Sequence, residues 1–108
     1  MSETKTFFKK VLLEALDEGL STIGESARKA IYFHLQNLYS LKREEIPDNP
    51  KAFVEGLRKI FGLGAEVIEK AVIKSLYGKL GIKFEERKGY GFIEYLTYAM
   101  QILESESG

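Results

Sequence analysis

The chain has 108 residues, enough for one domain around one hydrophobic core. At 44% apolar and 30% charged residues it has the composition of a folded globular protein, not a disordered one. Sixteen Lys and Arg balance sixteen Asp and Glu, so the overall positive excess expected of a nucleic-acid binder is absent, and with no cysteine there is no disulfide, thiolate metal site or cysteine nucleophile.

The first residues, Met-Ser-Glu-Thr-Lys-Thr, lead into an amphipathic pattern, so neither a signal peptide nor a membrane span is expected, and a cytoplasmic location follows as the default. Thr6 to Leu20 reads as a first helix. Phe8, Val11, Leu12, Ala15, Leu16 and Leu20 recur at three- and four-residue steps, with Phe7 and Leu13 widening the stripe, and Gly19 with the Ser21–Gly24 stretch is expected to end it. Glu25 to Ser40 or Leu41 reads as the second helix. Ala27, Ala30, Ile31, His34, Leu35, Leu38 and Leu41 share one face, and this is expected to be the core helix on which the others pack. Two prolines break the Lys42–Pro50 stretch, and Asn49 before Pro50 makes a good start for a third helix reaching about Phe61.

Gly62-Leu63-Gly64 is a tight turn into a fourth helix, Ala65 to about Leu80. Apolar residues cover most of its circumference, leaving a strip of Glu66, Lys70 and Lys74 with Glu69 beside it, so it is expected to be covered on more than one side. The missing side chain of Gly78 is expected to admit a close neighbour. Gly81 stops the helix. Residues 82–92 leave two readings open: a short β-hairpin, from the alternation of Ile82, Phe84, Tyr90 and Phe92, or an extended linker into a fifth helix. The helical spacing of Phe92, Leu96, Ala99, Met100 and Leu103 favours the linker, and 105–108 reads as a frayed tail. The fold class is therefore all-α: one compact bundle of about five helices over residues 1–108.

Few residues point to chemistry. His34 is the sole histidine, and its neighbours one helical turn away are apolar. Neither the Glu-x-x-His pairs of a dimetal bundle nor a complete dinucleotide, Walker or catalytic serine motif is present. No cofactor, no metal and no enzymatic activity are expected. Three binding modes remain. The first is a protein interface, centred on Phe92, Tyr95, Leu96 and Tyr98. The closing helices carry more apolar surface than one small core can cover, so a homodimer is expected there. The second is a small apolar-ligand pocket with Tyr32 or His34 at its mouth. The third is nucleic-acid contact through Lys70, Lys74, Lys79, Lys83, Arg87 and Lys88, opposed by Glu66 and Glu69 at the start of the same helix.

Leu16-Asp17-Glu18-Gly19-Leu20, Gly24-Glu25-Ser26, Ala30 to Leu35, Glu45-Ile46-Pro47, Phe53, Leu57, Ile60 to Ala65, and Leu76-Tyr77 with Leu80-Gly81 span roughly two-thirds of the chain. In these residues the chain resembles the archaeal output-domain family of Nitrosopumilus-type signalling proteins. The resemblance implies a small helical regulatory adaptor and assigns no catalytic residue. Two Asn, two Gln and two Met beside many Lys, Glu and Ile hint at a heat-adapted source.

Overall fold

The computed structural model describes residues 2–107. It contains five α-helices and, among the described residues, no strand: α1 (Ser2–Ile23), α2 (Glu25–Tyr39), α3 (Pro50–Phe61), α4 (Ala65–Leu80) and α5 (Phe92–Ser107). Two short 3-10 segments, Arg43–Asp48 and Gly62–Gly64, flank α3. The all-α bundle is as the helical periods predict.

The centre of the molecule is the pair α1 and α4, the most extensive helix–helix contact in the fold. Leu12, Ala15, Leu16 and Leu20 from α1 meet Ile68, Val72, Ile73 and Leu76 from α4 in one continuous buried cluster. Gly19 sets how close the two helices come. It does not end α1, which runs on to Ile23 and gives way at Gly24. A Cβ on Gly19 would lie 2.7 Å from the Val72 Cα and 2.9 Å from the Ala71 carbonyl oxygen, so the two backbones touch there. The expected close approach at Gly78 is not found: nothing lies within 4 Å of a Cβ built on it. α3 and α5 pack on other sides of α4, so this helix is covered more than once, as its thin polar strip predicts.

α2 is peripheral, not the organising helix. It buries Ile31 and Leu35 against α1 and α3, where Gly56 makes room for the Leu35 side chain, and leaves His34 and Leu38 outside. The predicted stripe is thus rotated. Its inner edge goes into the core, and Ala30, Phe33, His34 and Leu38 face out. α2 ends at Ser40 in the left-handed region (φ 54°), where Leu41 donates its N–H to the Leu35 carbonyl at 3.1 Å and turns its side chain inward. The chain then descends through the 3-10 segment, which buries Ile46, to Asn49 and Pro50 at the start of α3.

Residues 82–91 form an extended linker, so the hairpin reading is set aside. α5 begins at Phe92, where the Gly91 N–H donates to the Glu94 carboxylate at 2.8 Å. The helix continues to Ser107, so 105–107 are helical where a frayed tail is expected, and Gly108 lies outside the described residues. Phe92, Tyr95 and Leu96 are 3%, 8% and 7% exposed, and Tyr98 is half-buried. The proposed dimer face of α5 is therefore this chain's own core. The surplus of apolar surface is absorbed because α3, α4 and the linker all close on α5, with Phe53 against Phe92 at 5.3 Å between ring centres.

Two glycine substitutions separate close approach from plain helix weakness. Gly19→Val is expected to cost about 2–3 kcal/mol by forcing the α1 and α4 backbones apart. Gly78→Ala, facing open space inside a helix, is expected to stabilise by about 0.5–1 kcal/mol. Urea unfolding of both variants checks the pair, and equal effects at the two sites would contradict the assigned packing.

Candidate functional site

Two surfaces stand out once the core is closed, and they lie on different elements; Phe61, Leu63 and Val67 also stand exposed around the α3–α4 turn. The first is built by the linker. Tyr77 is buried on α4 and donates its hydroxyl to the Tyr95 carbonyl at 2.6 Å, and burial pushes its pKa up to about 12. Tyr95 accepts the Arg87 backbone N–H at 2.9 Å. Around the Tyr95 ring stand Tyr90, Phe84 and Tyr77, with centres 5.1, 5.4 and 6.0 Å away. The Arg87 guanidinium sits 4.5 Å over the Tyr98 ring and 5.8 Å over Tyr90, while the Lys74 ammonium sits 5.7 Å over Phe84. An ion pair from Lys70 to Glu86 ties the middle of the linker to α4. The aromatic residues of the last third thus clasp the linker to the bundle.

Beside this clasp runs an open groove of about 850 Å³, bounded by α4, the end of α1, the linker and the start of α5. Glu18 and Thr22 form one rim, and Phe84, Glu86, Arg87 and Tyr90 the other. Glu69 lines it and is only 5% exposed. Its Oε2 has no hydrogen-bond partner among the described residues, and the nearest cation is the Arg58 Nε at 3.9 Å. Burial, and secondarily the charge of Glu66, outweigh Arg58 and hold the Glu69 carboxyl above the usual carboxylate range. Helical spacing placed Glu69 beside a wet strip. Burial comes from tertiary packing, with Arg58 of α3 beside it, for which a single sequence gives no signal.

The six cations considered for nucleic acid do not form a free patch. Lys70 pairs with Glu86, Lys79 with Glu18 at 3.0 Å, and Arg87 lies between two tyrosines, while Lys74 rests on Phe84. Lys83 and Lys88 remain on the exposed linker.

The second surface is the outer face of α2. Phe33 and Leu38 are each 62% exposed, with Ala30, His34 and Asn37 exposed between and beside them. From Ala30 to Leu41 there is no Asp, Glu, Lys or Arg, in a chain that is 30% charged. The helix beneath is fixed by a buried-side network. The Tyr32 hydroxyl donates to Asp17 at 2.8 Å, and Arg43 binds the same carboxylate through two nitrogens at 2.9 and 2.7 Å. Hydrogen bonding from Arg43 holds the Asp17 carboxyl below its ordinary value. Asp17 and Glu18 therefore tie elements together. Neither residue expected at the mouth of an apolar pocket lines the groove beside α4. Tyr32 is committed to Asp17, His34 is exposed with its ring edge-on to Phe33 at 5.7 Å, and neither lines a described recess.

Set against protein families, curated proteins and solved structures, the chain matches none of them.

The Glu69 environment gives a signed pH dependence. Because the folded-state pKa is raised, the ionised carboxylate penalises the fold at neutral pH. The penalty fades as pH falls through that raised value and is gone below the unfolded value. Glu69→Gln is expected to be more stable than the parent at pH 7, with the difference closing towards pH 4. Thermal melts across that range check it, and a variant less stable at pH 7 would contradict it.

Proposed function

We propose that the protein is a non-enzymatic regulatory or signalling adaptor, working in the cytoplasm, that pairs with a second copy of itself through the outer face of α2. The observation that carries this is the uncharged run Ala30–Leu41, in which Phe33 and Leu38 stand 62% exposed on a firmly held helix. Burying a phenylalanine and a leucine on each side contributes about 1.5–3 kcal/mol per side chain. The family resemblance and the heat-adapted composition point the same way, towards a small helical regulator of archaeal type.

Charge selects the occupant. A face without ionic groups offers nothing to steer an acidic or basic partner, whereas it meets its own copy without repulsion. Arg28 and Lys29 lie before the run, and beyond its other end Lys42, Arg43, Glu44 and Glu45 carry no net charge, so the symmetry of a closed pair sets the orientation. The twofold arrangement places Phe33 of each copy against Leu38 of its mate, so one surface patch serves both sides.

In sedimentation equilibrium the protein is expected to shift from monomer to dimer with rising concentration. Phe33→Glu should weaken the dimer by about 10- to 100-fold, from the lost burial alone. Leu63→Glu, on a leucine 90% exposed at the α3–α4 turn, should leave association unchanged. A wild-type mass that stays monomeric at every concentration, or equal weakening by both variants, would overturn the assignment.

A further inference from the structure

The sole histidine of the chain, His34, is left on the outer face of α2. At 3.6 residues per turn, Phe33, Asn37, Ala30, His34 and Leu38 follow one another around that helix, so His34 and Asn37 lie between the two exposed apolar residues. Among the described residues neither side chain makes a hydrogen bond or an ion pair, and the His34 ring meets the edge of Phe33 at 5.7 Å. The charged groups nearby approach other sides of α2. On the helix itself Arg28 pairs with Glu25 at 2.6 Å, and Lys29 precedes the uncharged run. On α1, Asp17 is bound by Tyr32 and Arg43, and Glu14 lies one turn before it, exposed. On α3, Glu55 and Lys59 lie around Gly56, which meets Leu35 and Tyr39, and the Lys59 ammonium sits 5.8 Å over the Tyr39 ring. Tyr32 and Tyr39, which mark the α1 and α3 sides, lie about 160° and about 140° around the helix from His34. Past the run, Glu44 pairs with Arg43 at 3.4 Å and Glu45 accepts the Lys42 backbone N–H at 2.9 Å. The run around the imidazole thus supplies no carboxylate of its own.

We infer that His34 makes the pairing of α2 faces pH-sensitive: neutral imidazoles fit the centre of the contact, and protonated ones open it. The inference rests on the self-association proposed above. A twofold pair that sets Phe33 against Leu38 has its axis level with residues 35 and 36. His34 then falls within about 2 Å of that axis along the helix, where it meets the partner's His34 or the partner's Asn37. A neutral imidazole carries one N–H and one bare nitrogen, so it can donate to and accept from the group opposite. A proton turns both nitrogens into donors and sets two like charges together in a face with no acid to offset them. Imidazole is the side chain whose charge changes between about pH 5 and 8. Protons then bind the separated copies better than the pair, so falling pH shifts the equilibrium towards monomer. Two other groups do not imitate this. Hydrogen bonding from Arg43 keeps the Asp17 carboxyl ionised to lower pH, so the base of α2 stays held. Glu69, pushed up by burial, belongs to α4, and its protonation favours the fold.

Sedimentation equilibrium at about pH 7.5 and about pH 5.5 tests this on three chains: the parent, His34→Gln, which is neutral at both, and His34→Lys, which is charged at both. The parent is expected to pair about 10- to 100-fold more weakly at the lower pH, since both copies carry the group. His34→Gln should pair equally well at the two pH values, and His34→Lys should pair weakly at both. Phe33→Glu, diluted until monomeric, should keep its helix content by circular dichroism at both, which separates lost pairing from lost fold. Four results would overturn the inference and leave the self-association standing: a parent dimer equally tight at both pH values, a His34→Gln dimer that loosens as much as the parent's, a His34→Lys dimer as tight as the parent's at the higher pH, or unfolding of the monomer at the lower pH. A parent that stays monomeric at both pH values overturns the self-association and, with it, this inference.

Discussion

The contact between the α1 and α4 backbones at Gly19 sets the rest of the structure. With no side chain there, the Val72 Cα and the Ala71 carbonyl come within reach of the helix itself. The two helices then share a dry seam of leucine, isoleucine, valine and alanine along their length. Tight seams leave no slack, because protein interiors pack at crystal-like density. Everything else is arranged on this pair. α3 and α5 close the remaining sides of α4, while α2 rides on α1 and α3, held by the grip of Arg43 and Tyr32 on Asp17.

That arrangement decides which apolar surface stays outside. The aromatic side chains of α5 and the linker are used up in holding the linker down, through the Tyr77–Tyr95–Arg87 hydrogen bonds and the rings around Tyr95. α2 has only its inner edge, Ile31 and Leu35, covered. Its outer edge is uncharged and carries the exposed Phe33 and Leu38. The face proposed for self-association has therefore moved from the last helix to the second, for a packing reason. A helix pressed by several neighbours can hide an apolar circumference, and a helix at the edge cannot.

Much of this was legible in the residues. The helix of 65–80 ends where Gly81 takes the left-handed conformation, α3 starts at Asn49 and Pro50, and the extended linker precedes a fifth helix. What failed to show had one physical origin. Periodicity names the residues that share a face, but not which neighbour arrives to cover it. α2 is apolar over so wide an arc that Ala30, Ile31, His34, Leu35 and Leu38 read as one stripe, and packing split it. A glycine in a helical pattern signals an end, a weak point or a close approach alike. The close approach expected at Gly78 occurs at Gly19 instead, because only the facing helix distinguishes the two. Glu69 sits in the polar pattern of α4 yet is nearly buried, a long-range fact that leaves one of its oxygens without a hydrogen-bond partner among the described residues and Arg58 3.9 Å away.

The central claim is that this chain closes its aromatic C-terminal helix within its own core and presents α2 to a second copy. Assigned backbone amide spectra over a wide dilution series test it most directly, because they locate the contact instead of only weighing the complex. The account predicts concentration-dependent shifts confined to residues 29–45, with α5 unmoved. Shifts running along 92–103, or spectra that never change with concentration, would contradict it.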